Sequence, residues 1–219
     1  MSSASGPRIA IIDYDMGNRR SVEKALQRVG AHAEITRDPS ALGAADALVL
    51  PGVGAFPKGM ANLRKFGLDR LLGERVEAGT PLLGICLGMQ LLFDFSEELG
   101  KTSGLGLIPG AVRPLDARGG RVPHIGWNDV RFERPCALTA DLPAEGAPFY
   151  HVHSFVAHPA DAGDVVGTAQ YGERFATAVE RGCVYGTQFH PEKSSRDGLT
   201  LLAAFARLAQ AAGTRTVHA

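Results

Sequence analysis

The sequence predicts an α/β fold: a mostly parallel central sheet flanked by helices, with antiparallel strands added in the second half. Three observations predict it. Short apolar runs alternate with amphipathic stretches through the first half of the chain, the pattern of βαβ units. From residue 107 to 189 the sequence turns rich in Gly, Pro and β-formers, and a last amphipathic stretch closes it.

The run Ile9-Ala10-Ile11-Ile12 is apolar without alternation, which suits a strand over 8–13 buried on both faces. A turn over 14–18 leads into a helix that buries Val22, Ala25, Leu26 and Val29 and stops at Gly30. Strands are expected at 33–36 and 47–50, the second broken at its C-terminal end by Pro51-Gly52-Val53-Gly54. Two helical segments fill 58–78, strand 81–85 follows, and another helix runs from there to about residue 95. The second half carries candidate strands at 111–115, 128–132, 149–157, 165–170, 176–180 and 184–189, read as antiparallel additions to the same sheet. A closing helix over 197–211 turns Leu199, Leu202, Phe205, Ala206 and Leu208 inward. With no internal repeat, low-complexity tract or linker, one domain over residues 1–219 is the simplest organisation. The small polar start, residues 1–7, reads as a disordered tail.

Bulk properties exclude several roles. A chain of 219 residues, 45% apolar and 21% charged, is long enough to bury a core and has ordinary soluble composition. Its 23 basic residues balance 23 acidic ones, so no net field supports a nucleic-acid or membrane-surface role. Cys86, Cys136 and Cys183 are widely spaced and form no CxxC pair. That fits a reducing cytoplasm better than a disulfide framework or zinc site, and neither metal nor cofactor is expected. No apolar run approaches the ~20 residues of a membrane span, and the start has no signal-peptide pattern.

Two segments carry chemistry. In Leu82-Leu83-Gly84-Ile85-Cys86-Leu87-Gly88-Met89-Gln90 a buried strand runs through Gly-x-Cys-x-Gly into a helix. This is the thiol counterpart of the nucleophile elbow, with glycines where side chains collide in a strained turn. The sulfur then projects at the C-terminal edge of the sheet, where helix dipole and backbone N–H groups favour negative charge. Alone, the pattern also fits a small buried structural cysteine. The second segment, Gly186-Thr187-Gln188-Phe189-His190-Pro191-Glu192, ends another strand. A thiol nucleophile needs a base, and the base needs a partner to fix its tautomer; His190 and Glu192 supply both, and Pro191 stiffens the turn. The order Cys, His, Glu differs from that of α/β-hydrolase esterases. The Gly52–Gly54 turn lacks the Lys-Ser/Thr of a P-loop, which argues against a phosphate cradle.

These residues resemble the class I (triad) glutamine amidotransferases, in which Gly-Ile-Cys-Leu-Gly-Met-Gln and Gln-Phe-His-Pro-Glu mark the two halves of the site. Finer segments are similar to one branch of that family. They are Ile12-Asp13-Tyr14 with Gly17-Asn18, Leu50-Pro51-Gly52-Val53-Gly54-Ala55-Phe56, Pro123-His124-Ile125-Gly126-Trp127-Asn128, Val152-His153-Ser154 and His190-Pro191-Glu192-Lys193-Ser194. The branch comprises glutaminase subunits of histidine biosynthesis that feed ammonia to a (β/α)8 cyclase subunit making imidazole glycerol phosphate. The resemblance covers residues 8–211 and implies a class I glutamine amidotransferase-like, flavodoxin-like fold. It further implies L-glutamine as substrate, Cys86 as nucleophile, and backbone N–H groups of Leu87 and Val53 as the oxyanion site. Glutamine would be held by Gln90, Glu98 and groups near Gly52, Ser154 and Phe155. Asn18, Trp127, Tyr150 and Lys193 are implied at the partner interface of a heterodimer. An acid such as Glu98 at a helix end is also met as a simple solvated group. His124, His151 and His158, with Cys136 and Cys183, read as structural or surface residues. Three positions depart from the family pattern: Asp15 replaces a usual Gly, Arg19 an aliphatic residue and Phe155 a Tyr. Asp tolerates the left-handed backbone, so the Asp15 turn is expected to survive. Two other readings stay open at this stage: another triad amidohydrolase, such as a γ-glutamyl peptidase, and a non-catalytic regulatory subunit that keeps the fold.

Overall fold

The computed structural model describes residues 6–217. In chain order the first half runs β1 (Arg8–Ile12), α1 (Arg19–Arg28), β2 (His32–Thr36), α2 (Pro39–Ala44), β3 (Ala47–Gly52), α3 (Phe56–Lys65), α4 (Leu68–Glu77), β4 (Leu82–Cys86) and α5 (Leu87–Leu91). Next come β5 (Phe93–Ser96), β6 (Thr102–Ser103), β7 (Ile108–Pro114), β8 (His124–Phe132), β9 (Ala147–His153), β10 (Phe155–Pro159), β11 (Val165–Tyr171), β12 (Glu173–Arg181) and β13 (Val184–Thr187). A short 3-10 turn at Pro191–Lys193 precedes the long α6 (Ser195–Val217).

The main sheet has the order β2-β1-β3-β4-β13-β12-β10-β7-β5-β6, and β11, β8 and β9 extend from β12. Strands β1, β2, β3, β4 and β13 run parallel, while β12, β10 and β7 pair antiparallel. Successive side chains of a strand point to opposite faces, so β1 feeds two cores. Ile9 and Ile11 pack with Val22 and Leu26 of α1 and with Leu202 and Phe205 of α6. Ala10 and Ile12 pack with Phe56, Met60 and Leu63 of α3 and with Leu68 and Leu72 of α4. Each fully buried Leu, Ile or Phe contributes about 1.5–3 kcal/mol, and strands covered on both faces explain the unbroken apolar runs.

The structure departs from the sequence reading in five places. The helix after Cys86 ends at Leu91 instead of residue 95. Phe93–Ser96 forms β5, because it pairs with β7 and β6, and sheet pairing overrides a weak helix preference. The expected strand 149–157 is two strands broken at Ser154: β9 pairs with β8, whereas β10 pairs with β7 and β12. Strand β13 lies parallel to β4, not antiparallel. Helix α2 was not expected, although Asp38 caps it by accepting from Ser40 N and Pro39 sits in its first turn. Of the proposed tail, residues 1–5 lie outside the described residues; Pro7 is buried and its carbonyl accepts from His32 N at 2.9 Å.

Candidate active site

Strand order builds the site. Cys86 ends β4, with β3 on one side and β13 on the other. The register sets Gly52 beside Cys86 and Thr187 beside Ile85. The Pro51–Gly54 turn and the His190 segment therefore leave the same edge of the sheet, flanking the thiol, where open parallel sheets place ligands.

Cys86 has φ 55° and ψ −109°, a strained conformation for a residue with a side chain. The elbow depends on its glycines. A Cβ on Gly88 would lie 1.7 Å from the Leu50 carbonyl oxygen, and one on Gly84 would lie 2.7 Å from Gly88 O. The strand and helix pack too closely there for any other residue.

His190 and Glu192 are buried, with Nδ1 to Oε1 at 2.9 Å. Asn18 Nδ2 donates to the same Glu192 oxygen at 2.8 Å. Burial opposes a charged His190, but the neighbouring Cys86 thiol and the Glu192 carboxylate outweigh it and lift its pKa to about 9. Burial likewise pushes Glu192 up, yet His190 and Asn18 hold it below the usual carboxylate range. No hydrogen bond to His190 Nε2 meets ordinary geometry, although Cys86 is near enough to dominate the rise. Such contacts commonly tighten only with substrate bound. The bond to Glu192 occupies Nδ1, so Nε2 is the atom left to exchange a proton with the sulfur.

A cavity of ≈ 260 Å³ opens at the thiol, lined by Val53, Gly54, Cys86, Leu87, Gln90, Glu98, Pro123, Val152, His153, Ser154 and Phe155. That is the space of roughly nine waters, on the order of one small amino acid. A larger cavity of ≈ 850 Å³ lies at the opposite edge of the strands, among Arg8, Asp46, Arg75 and Cys183. It contains no nucleophile–base pair, so chemistry rather than size selects the site.

The structure thus gathers Val53, Leu87, Gln90, Glu98, Ser154 and Phe155 around Cys86. Gly52 sits behind this lining: a Cβ there would be 2.2 Å from the Tyr14 hydroxyl. Glu98 lines the cavity and accepts from Phe56 N at 2.7 Å, anchoring the chain beyond the Gly54 turn. Gln90 Nε2 donates to Phe155 O and to Gln188 Oε1, both at 3.0 Å. Both amide hydrogens are therefore engaged, which leaves Gln90 only its carbonyl oxygen to offer a ligand. Trp127 and Tyr150 face each other across β8 and β9 with ring centroids 6.3 Å apart, and Lys193 Nζ lies 6.0 Å from the Tyr150 ring. The Asn18 side chain lies against the His190–Glu192 pair. Asp15 adopts φ 61°, as expected of an Asp in place of Gly, and its carboxylate pairs with Arg37. Arg19 pairs with Asp13.

The sequence reading gives Gln188 and His153 no chemical role and takes His124 and His151 as structural or surface residues. Gln188 is buried and its Nε2 lies 3.7 Å from Cys86 Sγ; its position beside Phe189-His190 was the available signal. His124, His151 and His153 form a buried cluster against the site. Their ring nitrogens are taken up in hydrogen bonds, so none is free to ligate a metal. Burial drives His151 and His153 down to about 3 and lowers His124 as well.

Comparison with known proteins agrees with this geometry. The family model for "Glutamine amidotransferase class-I" matches residues 10–208. The "Imidazole glycerol phosphate synthase subunit HisH" of Moorella thermoacetica is 54% identical over 94% of this chain and 97% of that protein. Its Bacillus cereus counterpart is 48% identical over 93% and 96%. The structure of PurLQS from Thermotoga maritima superposes with TM-score 0.74 at 21% identity, over 92% of this chain and 98% of that chain, and so supports the fold. With a cysteine elbow, a buried His–Glu pair and these relatives together, the chain belongs to the class-I glutamine amidotransferase family, in its branch of imidazole glycerol phosphate synthase HisH subunits.

Proposed function

We propose that this chain hydrolyses L-glutamine to L-glutamate and ammonia at Cys86 and passes the ammonia to a (β/α)8 cyclase subunit in histidine biosynthesis. The observation that carries this reading is the triad: a strained Cys86 beside a His190 whose Nδ1 is held by Glu192 at 2.9 Å. His190 takes the thiol proton and the sulfur attacks the side-chain amide carbon of glutamine. Backbone N–H groups of Leu87 and of Val53 receive the oxyanion. His190 then gives its proton to the departing ammonia, leaving a γ-glutamyl thioester that water, activated by His190, hydrolyses to glutamate. Because Gln90 and Glu98 offer acceptors, they suit the α-ammonium of glutamine; the α-carboxylate falls to backbone groups near Ser154 and Phe155. Gly52 and Gly54 bracket Val53, and their backbone freedom suits a turn that swings its peptide into the oxyanion position when the partner signals.

Ammonia released into water is protonated and no longer a nucleophile, so direct delivery to a second site follows from the chemistry. The docking face is assigned to the surface carrying Trp127, Tyr150 and Lys193, where Ile125 and Trp127 stand 61% and 54% exposed. Asn18, implied at the interface by family resemblance, donates to Glu192. A reducing cytoplasm is the matching compartment; among the described residues no helix is long and apolar enough to cross a membrane.

The test is a glutaminase assay with and without the cyclase and its ligand. Glutamate release should depend on both. The Cys86→Ala variant should lose glutamine-dependent synthesis while added ammonium salt still supports the partner's reaction. Equal glutamate release by the subunit alone would instead point to a stand-alone amidohydrolase.

A further inference from the structure

We propose that Gln188 is a further catalytic residue: its side-chain amide donates to the Cys86 sulfur and holds it as an anionic nucleophile, and a buried hydrogen-bond chain reaching to β8 fixes which way that amide points. The proposal rests on Cys86 being the nucleophile. Gln188 is fully buried, its backbone N–H held by Thr177 O at 2.8 Å. It is 102 residues from Cys86 in sequence and 3.7 Å away in space, Nε2 to Sγ.

An amide can be built either way round, so its direction needs a reason. A backbone carbonyl supplies one, because it only accepts. Phe155 O takes two donors, Gln90 Nε2 and His153 Nδ1, each at 3.0 Å. Gln90 must therefore present its NH2 to Phe155, and the second hydrogen of that NH2 meets Gln188 Oε1 at 3.0 Å. With its oxygen committed to Gln90, Gln188 can turn only its NH2 to the sulfur. A reversed Gln188 would set a carbonyl oxygen against the sulfur and two NH2 groups against each other.

The other side of Phe155 O is fixed in the same manner. His153 donates through Nδ1, so its neutral ring accepts at Nε2 from His124 Nδ1, at 3.0 Å. His124 Nε2 then accepts from Asn128 Nδ2 at 3.3 Å, and that amide also donates to Gln170 O at 3.0 Å. The chain from Asn128 to Cys86 is thus pinned by two backbone carbonyls, which fix the direction of each amide and the tautomer of each imidazole along it. Gln188 is the member that touches the reacting atom; Gln90, His153, His124 and Asn128 are positioning residues. A donor aimed at the sulfur favours the thiolate both when it attacks and when it is expelled from the thioester.

The experiment uses the full chain with Gln188→Met and Gln188→Glu. The first removes the donor at similar volume; the second keeps the shape and the acceptor for Gln90 but sets an oxygen against the sulfur. Alkylation of Cys86 by iodoacetamide is followed across pH by mass spectrometry of the Cys86 peptide, which separates it from Cys136 and Cys183. His190 and Tyr14, the other titratable groups beside the sulfur, are unchanged in both variants. The alkylation midpoint should move to higher pH, further for Glu than for Met. With cyclase and ligand present, kcat for glutamine should fall on the order of 10- to 100-fold, the range for a hydrogen bond to a charged group, with KM little changed. Unchanged alkylation profiles in variants that unfold as cooperatively as wild type would overturn the proposal and leave Gln188 a packing residue. Should Gln188→Met fold poorly, Gln188→Glu decides. Wild type that is alkylated normally yet makes no glutamate with its partner would count against the proposed function, and the alkylation comparison would still decide the role of Gln188.

Discussion

Lowering the pH from 7 to 5 should destabilise this fold chiefly through its histidines, since ordinary carboxylates titrate mostly below that interval. His151 and His153 are held neutral, their pKa values lowered from 6.5 to about 3 chiefly by burial. In that interval the unfolded chain binds protons that the native state refuses, so stability is full above the unfolded pKa and is lost as pH falls. Each group then removes about 2 kcal/mol between pH 7 and pH 5, or about 4 for the pair. His190 works in the opposite direction: raised from 6.5 to about 9, it stabilises most below the unfolded pKa and returns about 0.8 kcal/mol over the same interval. The net expected loss is about 3 kcal/mol, and His124, lowered by its own burial, adds in the same direction as the pair. Urea unfolding followed by circular dichroism at pH 7, 6 and 5 measures it. In His153→Gln the loss should shrink to about 1 kcal/mol. Stability that is flat or rising toward pH 5, or an identical slope in the variant, would refute the buried neutral cluster.

Two further perturbations probe the elbow. In Gly88→Ala the added methyl would meet Leu50 O at 1.7 Å, so backbone must move; a loss of about 3 kcal/mol, or no soluble folded protein, is expected from thermal melts. Tyr14→Phe should be neutral or stabilising by up to about 1 kcal/mol, because the buried hydroxyl makes no hydrogen bond; a clear loss in the same melts would mean that the hydroxyl has a partner.

Local chemistry was legible where it is written in adjacent residues. The glycines around Cys86 and the His-Pro-Glu run each state their own geometry, so the strand-to-helix turn and the His190–Glu192 pair could be read directly. The left-handed Asp15 was legible for the same reason, since φ is a local property and Asp tolerates it. Strand 149–157 was not, because nothing in Val152-His153-Ser154-Phe155 announces a change of partner; the break at Ser154 exists because β8 waits on one side and β7 and β12 on the other. Phe93–Ser96 failed for the same cause, its strand state being supplied by β7.

The site follows the same division. Which residues can act was visible in the sequence, but what surrounds Cys86 depends on the strand order β3-β4-β13. That order inserts a late strand parallel to β4, and only this insertion brings Gln188 to the sulfur and His190 to the proton. Had β13 joined antiparallel, as the Gly- and Pro-rich second half suggested, its C-terminal end would leave the opposite edge of the sheet. The triad would then be separated by the length of a strand. The parallel pairing of Thr187 with Ile85 is therefore the structural fact on which the chemistry of Cys86 depends.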